Sequence, residues 1–169
     1  PTTFPQHRLV RCGCWNAMGS RGDLGVQCAA WEARLKVPVD EGSGVLEALM
    51  DEAWDRAEKY LFQITAEKSD RMRVIQVTGV HFNAMCNYAE RKVHLNIDPV
   101  LTRPGLKHLT VHEGIPGHYL QFKMRETGLL EGSGAADSSL SVVNTAGASV
   151  FEGIADNGLR MLNWIDSDD

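Results

Sequence analysis

Pro116 and Gly117 interrupt a stretch, about residues 105 to 126, that otherwise has the make-up of one long helix. They do so between two histidines, in Thr110-Val111-His112-Glu113-Gly114-Ile115-Pro116-Gly117-His118-Tyr119-Leu120-Gln121. Proline lacks the backbone donor that a helix needs and disfavours helical geometry at Ile115, while glycine admits dihedrals that other residues resist. The expected form is therefore helix, irregularity at 115 to 117, helix. In an unbroken helix two residues six apart would sit roughly 120° apart and about 9 Å along the axis. Only a break or a widening of the helix lets His112 and His118 approach one point.

The residue types around that break are those of a zinc site. Neutral imidazoles supply Zn–N bonds, and a glutamate beside the first histidine acts as general base on the attacking water in the H-E-x-x-H metallopeptidases. Here the two histidines are separated by six positions rather than four. A rival pair exists in His108 and His112, which are four apart, lie on one helix face and need no bulge. Glu152, flanked by Phe151 and Ile154, is expected in or next to the apolar face of a later helix. A carboxylate there needs a partner, and a metal ion is one.

The block His112-Glu113-x-x-Pro116-Gly117-His118-x-Leu120-Gln121 resembles the signature of the DUF885 family, a group of zinc-metallopeptidase-like proteins with the pattern H-E-x-x-P-G-H-H-L-Q. Tyr88 and His94-Leu95-Asn96-Ile97 look like the strand that precedes the family motif, and Phe151-Glu152-Gly153-Ile154-Ala155 resembles its E-G-W-A block. The resemblance implies a gluzincin-like site: His112, His118 and Glu152 as zinc ligands and Glu113 as the general base. Tyr119 stands where the family has a further histidine and could donate a proton. Ile154 replaces the family's tryptophan, and Asp156-Asn157-Gly158-Leu159 replaces the residues that usually follow. Family members are several times longer, so the resemblance implies a short form or a fragment of a longer architecture.

Two segments, 71 to 78 and 92 to 98, alternate and are β-branched enough to be strands, and they are expected to pair. If the second runs beside the zinc helix, Asn96 would help to hold an extended substrate; an ordinary solvated asparagine is the other reading. Ser43 is expected to cap a helix from about 44 to 66, in which Leu46, Met50, Trp54, Ala57 and Leu61 recur at helical spacing and form core. A second long helix is expected from about Ser138 to Ile165, and residues 1 to 43 read as loop-rich, with Arg21-Gly22-Asp23 a chance tripeptide. Cys12, Cys14, Cys28 and Cys86 contain no C-x-x-C pair and are expected to be reduced. His7 and His81 have no local partners.

With 169 residues, 43% of them hydrophobic and 23% charged, the chain is expected to form one domain, residues 1 to 169, with its own core. The fold class expected is α+β, mostly helical with a small β-sheet, in which a helix pair forms the metal site. A net charge of −5 without a basic run argues against nucleic acid or an anionic membrane as partner. No apolar stretch approaches the roughly 20 residues that span a bilayer, and the first residues lack the build of a signal peptide; this slightly favours a cytoplasmic setting and leaves the compartment open. The function expected is a zinc-dependent hydrolase acting on a peptide or small amide. Two alternatives stand beside it: another metal-dependent enzyme of small molecules (lyase, hydratase or amidase), and a non-catalytic metal-binding or structural remnant.

Overall fold

The computed structural model describes residues 23–61, 70–132 and 146–166. Helix α1 (Leu24–Leu35) begins where the Asp23 carboxylate accepts a hydrogen bond from the Val26 N–H, an N-cap that satisfies one of the donors a helix start leaves open. The loop expected across residues 1 to 43 is thus helical from 24 to 35, while Arg21 and Gly22 lie outside the described residues. Helix α2 (Gly42–Tyr60) starts with Glu41 at its cap and no side-chain bond there, so Ser43 lies inside the helix rather than capping it. The helix ends at Tyr60, and residues 62 to 66 of the expected span lie outside the described residues. Its buried residues Leu46, Leu49, Met50, Ala53, Trp54 and Ala57 recur three or four apart, which makes one continuous apolar stripe.

That stripe covers one face of a three-stranded sheet. Strand β1 (Arg73–Val77) runs parallel to β3 (Lys92–Asn96), with Val74 opposite Val93 and Val77 opposite Asn96. Strand β2 (Ala84–Asn87) pairs antiparallel to β3, with Ala84 opposite Leu95, and the order across the sheet is β1-β3-β2. The two strands expected from sequence do pair, and β3 is central. Strand β2 forms an outer edge that the sequence pattern did not announce, because Ala-Met-Cys-Asn carries no β-branched residue. The turn back into β3 closes through the Arg91 N–H to Tyr88 carbonyl bond, with Arg91 at φ 53°.

Val74, Val93 and Leu95 from the sheet, Leu46, Met50 and Trp54 from α2, and Leu106 and Val111 from the next helical segment make one core. Leu46, Leu95 and Val111 are wholly shielded from solvent. Burying each such aliphatic side chain contributes on the order of 1.5–3 kcal/mol. Helix α3 (Arg103–Leu109) is capped by the Thr102 hydroxyl, which accepts from Gly105 N–H. Its Lys107 is buried and reaches Asp166 at 2.8 Å, with the ammonium 5.1 Å from the Trp164 ring centroid, so the last described segment is tied back onto α3. The single long helix expected from Ser138 to Ile165 is α5 (Ala146–Asp156) and the short α6 (Gly158–Met161), separated at Asn157. Residues 138 to 145 lie outside the described residues. The α+β class, mostly helical with a small sheet, is the one observed.

Candidate metal centre

The interruption begins earlier than Pro116. After Leu109 the helix widens into a five-residue turn with π-type hydrogen bonding, Thr110–Gly114. Thr110 Oγ1 donates back to the Leu106 carbonyl at 3.0 Å, a local bond that bends helices. Ile115 is then extended, at φ −121° and ψ 125°, and helix α4 (His118–Arg125) starts afresh after Gly117. The reversal closes through the Gly117 N–H to Val111 carbonyl bond at 2.9 Å. A Cβ at position 117 would lie 1.8 Å from the His112 carbonyl oxygen, so only glycine fits.

This turn brings the two histidines together. The rings of His112 and His118 meet edge to face with centroids 4.8 Å apart. Helix α5 adds Glu152 between them: His112 Nε2 lies 3.3 Å from Glu152 Oε2, and His118 Nε2 lies 3.6 Å from Glu152 Oε1. Two ligand atoms about 2.0–2.1 Å from a tetrahedral zinc ion would be about 3.3 Å apart, so these separations fit one ion shared by three donors. Both histidine side chains are 19% exposed and Glu152 is 50% exposed, which leaves the centre open on one side.

A second carboxylate fixes the ring of His112. Asp156, one turn after Glu152 on α5, places Oδ1 3.1 Å from His112 Nδ1. With the Nδ1 proton donated to Asp156, His112 turns a bare Nε2 lone pair toward another acceptor, Glu152. A cation between them satisfies that contact, and a carboxylate behind a ligating histidine is the usual arrangement around such ions. His108 joins the same edge: its Nε2 is 3.9 Å from Asp156 Oδ1, and its ring stands 5.6 Å from that of His112. His108, His112 and Asp156 thus form a second group with ligand spacing, which shares His112 with the first. Burial and the neighbouring His112 hold the His108 pKa below the usual imidazole value.

Glu113, on the same turn, reaches across to the sheet. Its Oε2 accepts the Cys86 N–H of β2 at 2.8 Å, and the residue is 6% exposed. Burial raises its pKa above the usual carboxylate value, while His118, His112 and the Cys86 N–H oppose the shift. It lines a cavity of about 240 Å³ together with His118, Glu152, Phe122, Phe151 and Met85.

Two expected site residues lie elsewhere. Tyr119 is 2% exposed, packs on Tyr88 at 5.5 Å between centroids, and faces a small hollow with Asp70 and Met72 rather than the cavity. It follows His118 directly on α4, so its side chain leaves the helix roughly 100° away from that of the histidine. Burial pushes its hydroxyl up to about 12. Tyr88, beside it, donates to Glu126 and is pushed higher still by burial. Asn96 is buried on the central strand, where its amide donates to the Val80 carbonyl and its Oδ1 accepts from Asp98 N–H. It lines a separate hollow with Asn83 and Leu106, away from Glu113. The residue that sequence reasoning passed over is Asp156. Glu152-x-x-x-Asp156 repeats the four-residue spacing of His108 and His112, which puts both acids on one helix face.

Cys28 and Cys86 are free thiols, and Cys12 and Cys14 lie outside the described residues, as does His7. Among the described residues, no helix is long and apolar enough to cross a membrane. Comparison of the chain with protein-family models, with curated proteins and with solved structures gave no match.

Proposed function

We propose that this protein is a zinc-dependent hydrolase of amide bonds, with the ion held by His112, His118 and Glu152 and with Glu113 as general base. The observation that carries this reading is the meeting of three donor side chains, with His112 Nε2 3.3 Å and His118 Nε2 3.6 Å from the two oxygens of Glu152, beside the buried carboxylate of Glu113. The resemblance of His112 to Gln121, and of Phe151 to Ala155, to the DUF885 metallopeptidase-like proteins supports the same assignment. When bound, zinc supplies Lewis acidity toward the substrate carbonyl and lowers the pKa of water toward neutrality.

The chain's own groups account for the rest. Asp156 holds His112 in the tautomer that presents Nε2. Glu113 accepts a proton from the attacking water at Oε1 or Oε2 and returns it to the departing amine. Its hydrogen bond from Cys86 N–H sets the carboxylate's orientation, and its burial raises its affinity for the proton. Tyr119, turned into the core, takes no part in this scheme. A cavity of about 240 Å³ falls short of the roughly 300–1,000 Å³ of drug-sized pockets. It suits one residue-sized group next to the scissile amide, which favours a short peptide or a small amide over a long one.

The test joins elemental analysis to a substrate screen on purified protein. Near-stoichiometric zinc that is lost in His112→Ala, His118→Ala and Glu152→Ala, and retained in His108→Ala, is the expected outcome. Glu113→Gln should keep the zinc and lose at least about a hundredfold in turnover. Absence of zinc after reconstitution, or full activity in Glu113→Gln, rejects the proposal.

A further inference from the structure

The cavity beside His118 is walled by two kinds of surface. Ala84, Met85, Phe122, Ala148 and Phe151 make it apolar, while at its rim stands Arg125, the last residue of α4. Among the described residues that line it, Arg125 is the one with a fixed positive charge. His118, Phe122 and Arg125 are spaced four and three apart, so they follow one another along a single face of α4. From His118 to Arg125 the helix rises about 10 Å, and side chains that lean toward the helix start shorten the gap.

Arg125 is half-buried, and its guanidinium carbon stands 5.1 Å from the centroid of the Phe151 ring. Contact with an aromatic face restrains the guanidinium plane. Phe151 is itself anchored, since its carbonyl accepts from Gln121 Nε2 at 3.0 Å across α4 and α5. Arg125 thus lines the same residue-sized cavity as His118 and Glu152 of the candidate metal centre. The protein as a whole carries −5, so an anion is not drawn in by the overall field and must be recognised locally. A restrained guanidinium recognises a carboxylate through paired N–H donors.

We propose that Arg125 selects amide substrates bearing a carboxylate one residue from the scissile bond. This inference rests on the hydrolase reading. The carboxylate has two chemical sources, a chain-terminal carboxylate or an acidic side chain, and Arg125 would bind either through the same two donors.

Three acylated dipeptides on the zinc-loaded protein separate these sources: one with a free C-terminus, its C-terminal amide, and an amide with aspartate after the scissile bond. The parent should cleave one or both acids with a kcat/KM at least about tenfold above the neutral amide. In Arg125→Gln the ratio of acid to amide should fall to about one, and in Arg125→Lys it should fall only in part. Because each variant is judged on its own ratio, a general loss of activity does not imitate the effect. An equal kcat/KM for acid and amide in the parent, or an unchanged ratio in Arg125→Gln, overturns the inference. If no dipeptide is cleaved, the hydrolase reading has failed, and binding of N-benzoylglycine against N-benzoylglycinamide by calorimetry tests Arg125 alone. Preference for the acid that vanishes in Arg125→Gln upholds the carboxylate site; equal binding, or none, overturns it.

Discussion

Nδ1 of His112 lies 3.1 Å from Oδ1 of Asp156, while Nε2 of the same ring faces Glu152 at 3.3 Å. One imidazole therefore has a carboxylate at each nitrogen. Only one of those contacts can be an ordinary hydrogen bond of neutral histidine, and the other has the spacing of two ligands of a single ion.

Replacement of Asp156 should weaken metal binding without removing a ligand. Asp156→Asn keeps the shape and loses the charge that fixes the His112 tautomer, so zinc affinity should fall roughly 10- to 100-fold. Competition with a chromogenic chelator measures it. Unchanged affinity would assign Asp156 to the surface alone.

Gly117 is the backbone counterpart of that pairing. Any Cβ there would collide with the carbonyl oxygens of Val111 and His112 at 2.4 and 1.8 Å, which are main-chain atoms with no rotamer to change. Gly117→Ala should lower stability by more than about 3 kcal/mol and abolish stoichiometric zinc. Chemical denaturation and elemental analysis test both parts, and a variant of parental stability would refute the geometry of the turn.

The raised pKa of Glu113 makes the metal-free protein pH-sensitive in a defined direction. A carboxyl that titrates higher in the folded than in the unfolded state binds its proton more tightly when folded. Its contribution is fully present below the ordinary carboxyl value of 4.5 and is lost as pH rises through the raised value. Relative to Glu113→Gln, the parent in the presence of chelator should lose stability between pH 4 and neutrality. Denaturant midpoints of the pair, compared at several pH values, should diverge; parallel midpoints would exclude a buried, raised carboxyl.

Cys86 should resist alkylation. Burial first, and the nearby Glu113 second, push its thiol up to about 12. At pH 8 an ordinary cysteine is roughly one quarter thiolate, and Cys86 would be so on the order of 0.01%. Iodoacetamide labelling followed by peptide mapping should find it slowed by at least about a hundredfold relative to the unfolded chain. Equal rates would place it in solvent.

Much of the centre was legible because it is local. Pro116-Gly117 forced an irregularity that two histidines six apart require, and Glu152 beside Phe151 marked a carboxylate on a half-buried helix. What the sequence left hidden depends on contacts between elements. Asp156 becomes a partner only once α5 lies against the Thr110–Gly114 turn, an approach that Gly158 permits by leaving no side chain against Val111, 2.7 Å from where its Cβ would stand. Tyr119 looked available because it adjoins His118, yet one residue along α4 turns it from the cavity into the core. Asn96 was read from a strand pattern that gave no strand order; with β2 outside it, β3 is central and Asn96 is enclosed. Helix α1 was obscured by the polar and small residues between Asp23 and Leu35, whose faces differ little in hydrophobicity.

The Cys86 N–H of β2 is spent on Glu113 rather than on another strand. Any chain added along that outer edge would find this donor taken at the point nearest the centre. Extended ligands would have to register on other main-chain groups of that edge, or displace the carboxylate. The same hydrogen bond that aims Glu113 thereby acts as a built-in stop, setting where a guest strand can begin.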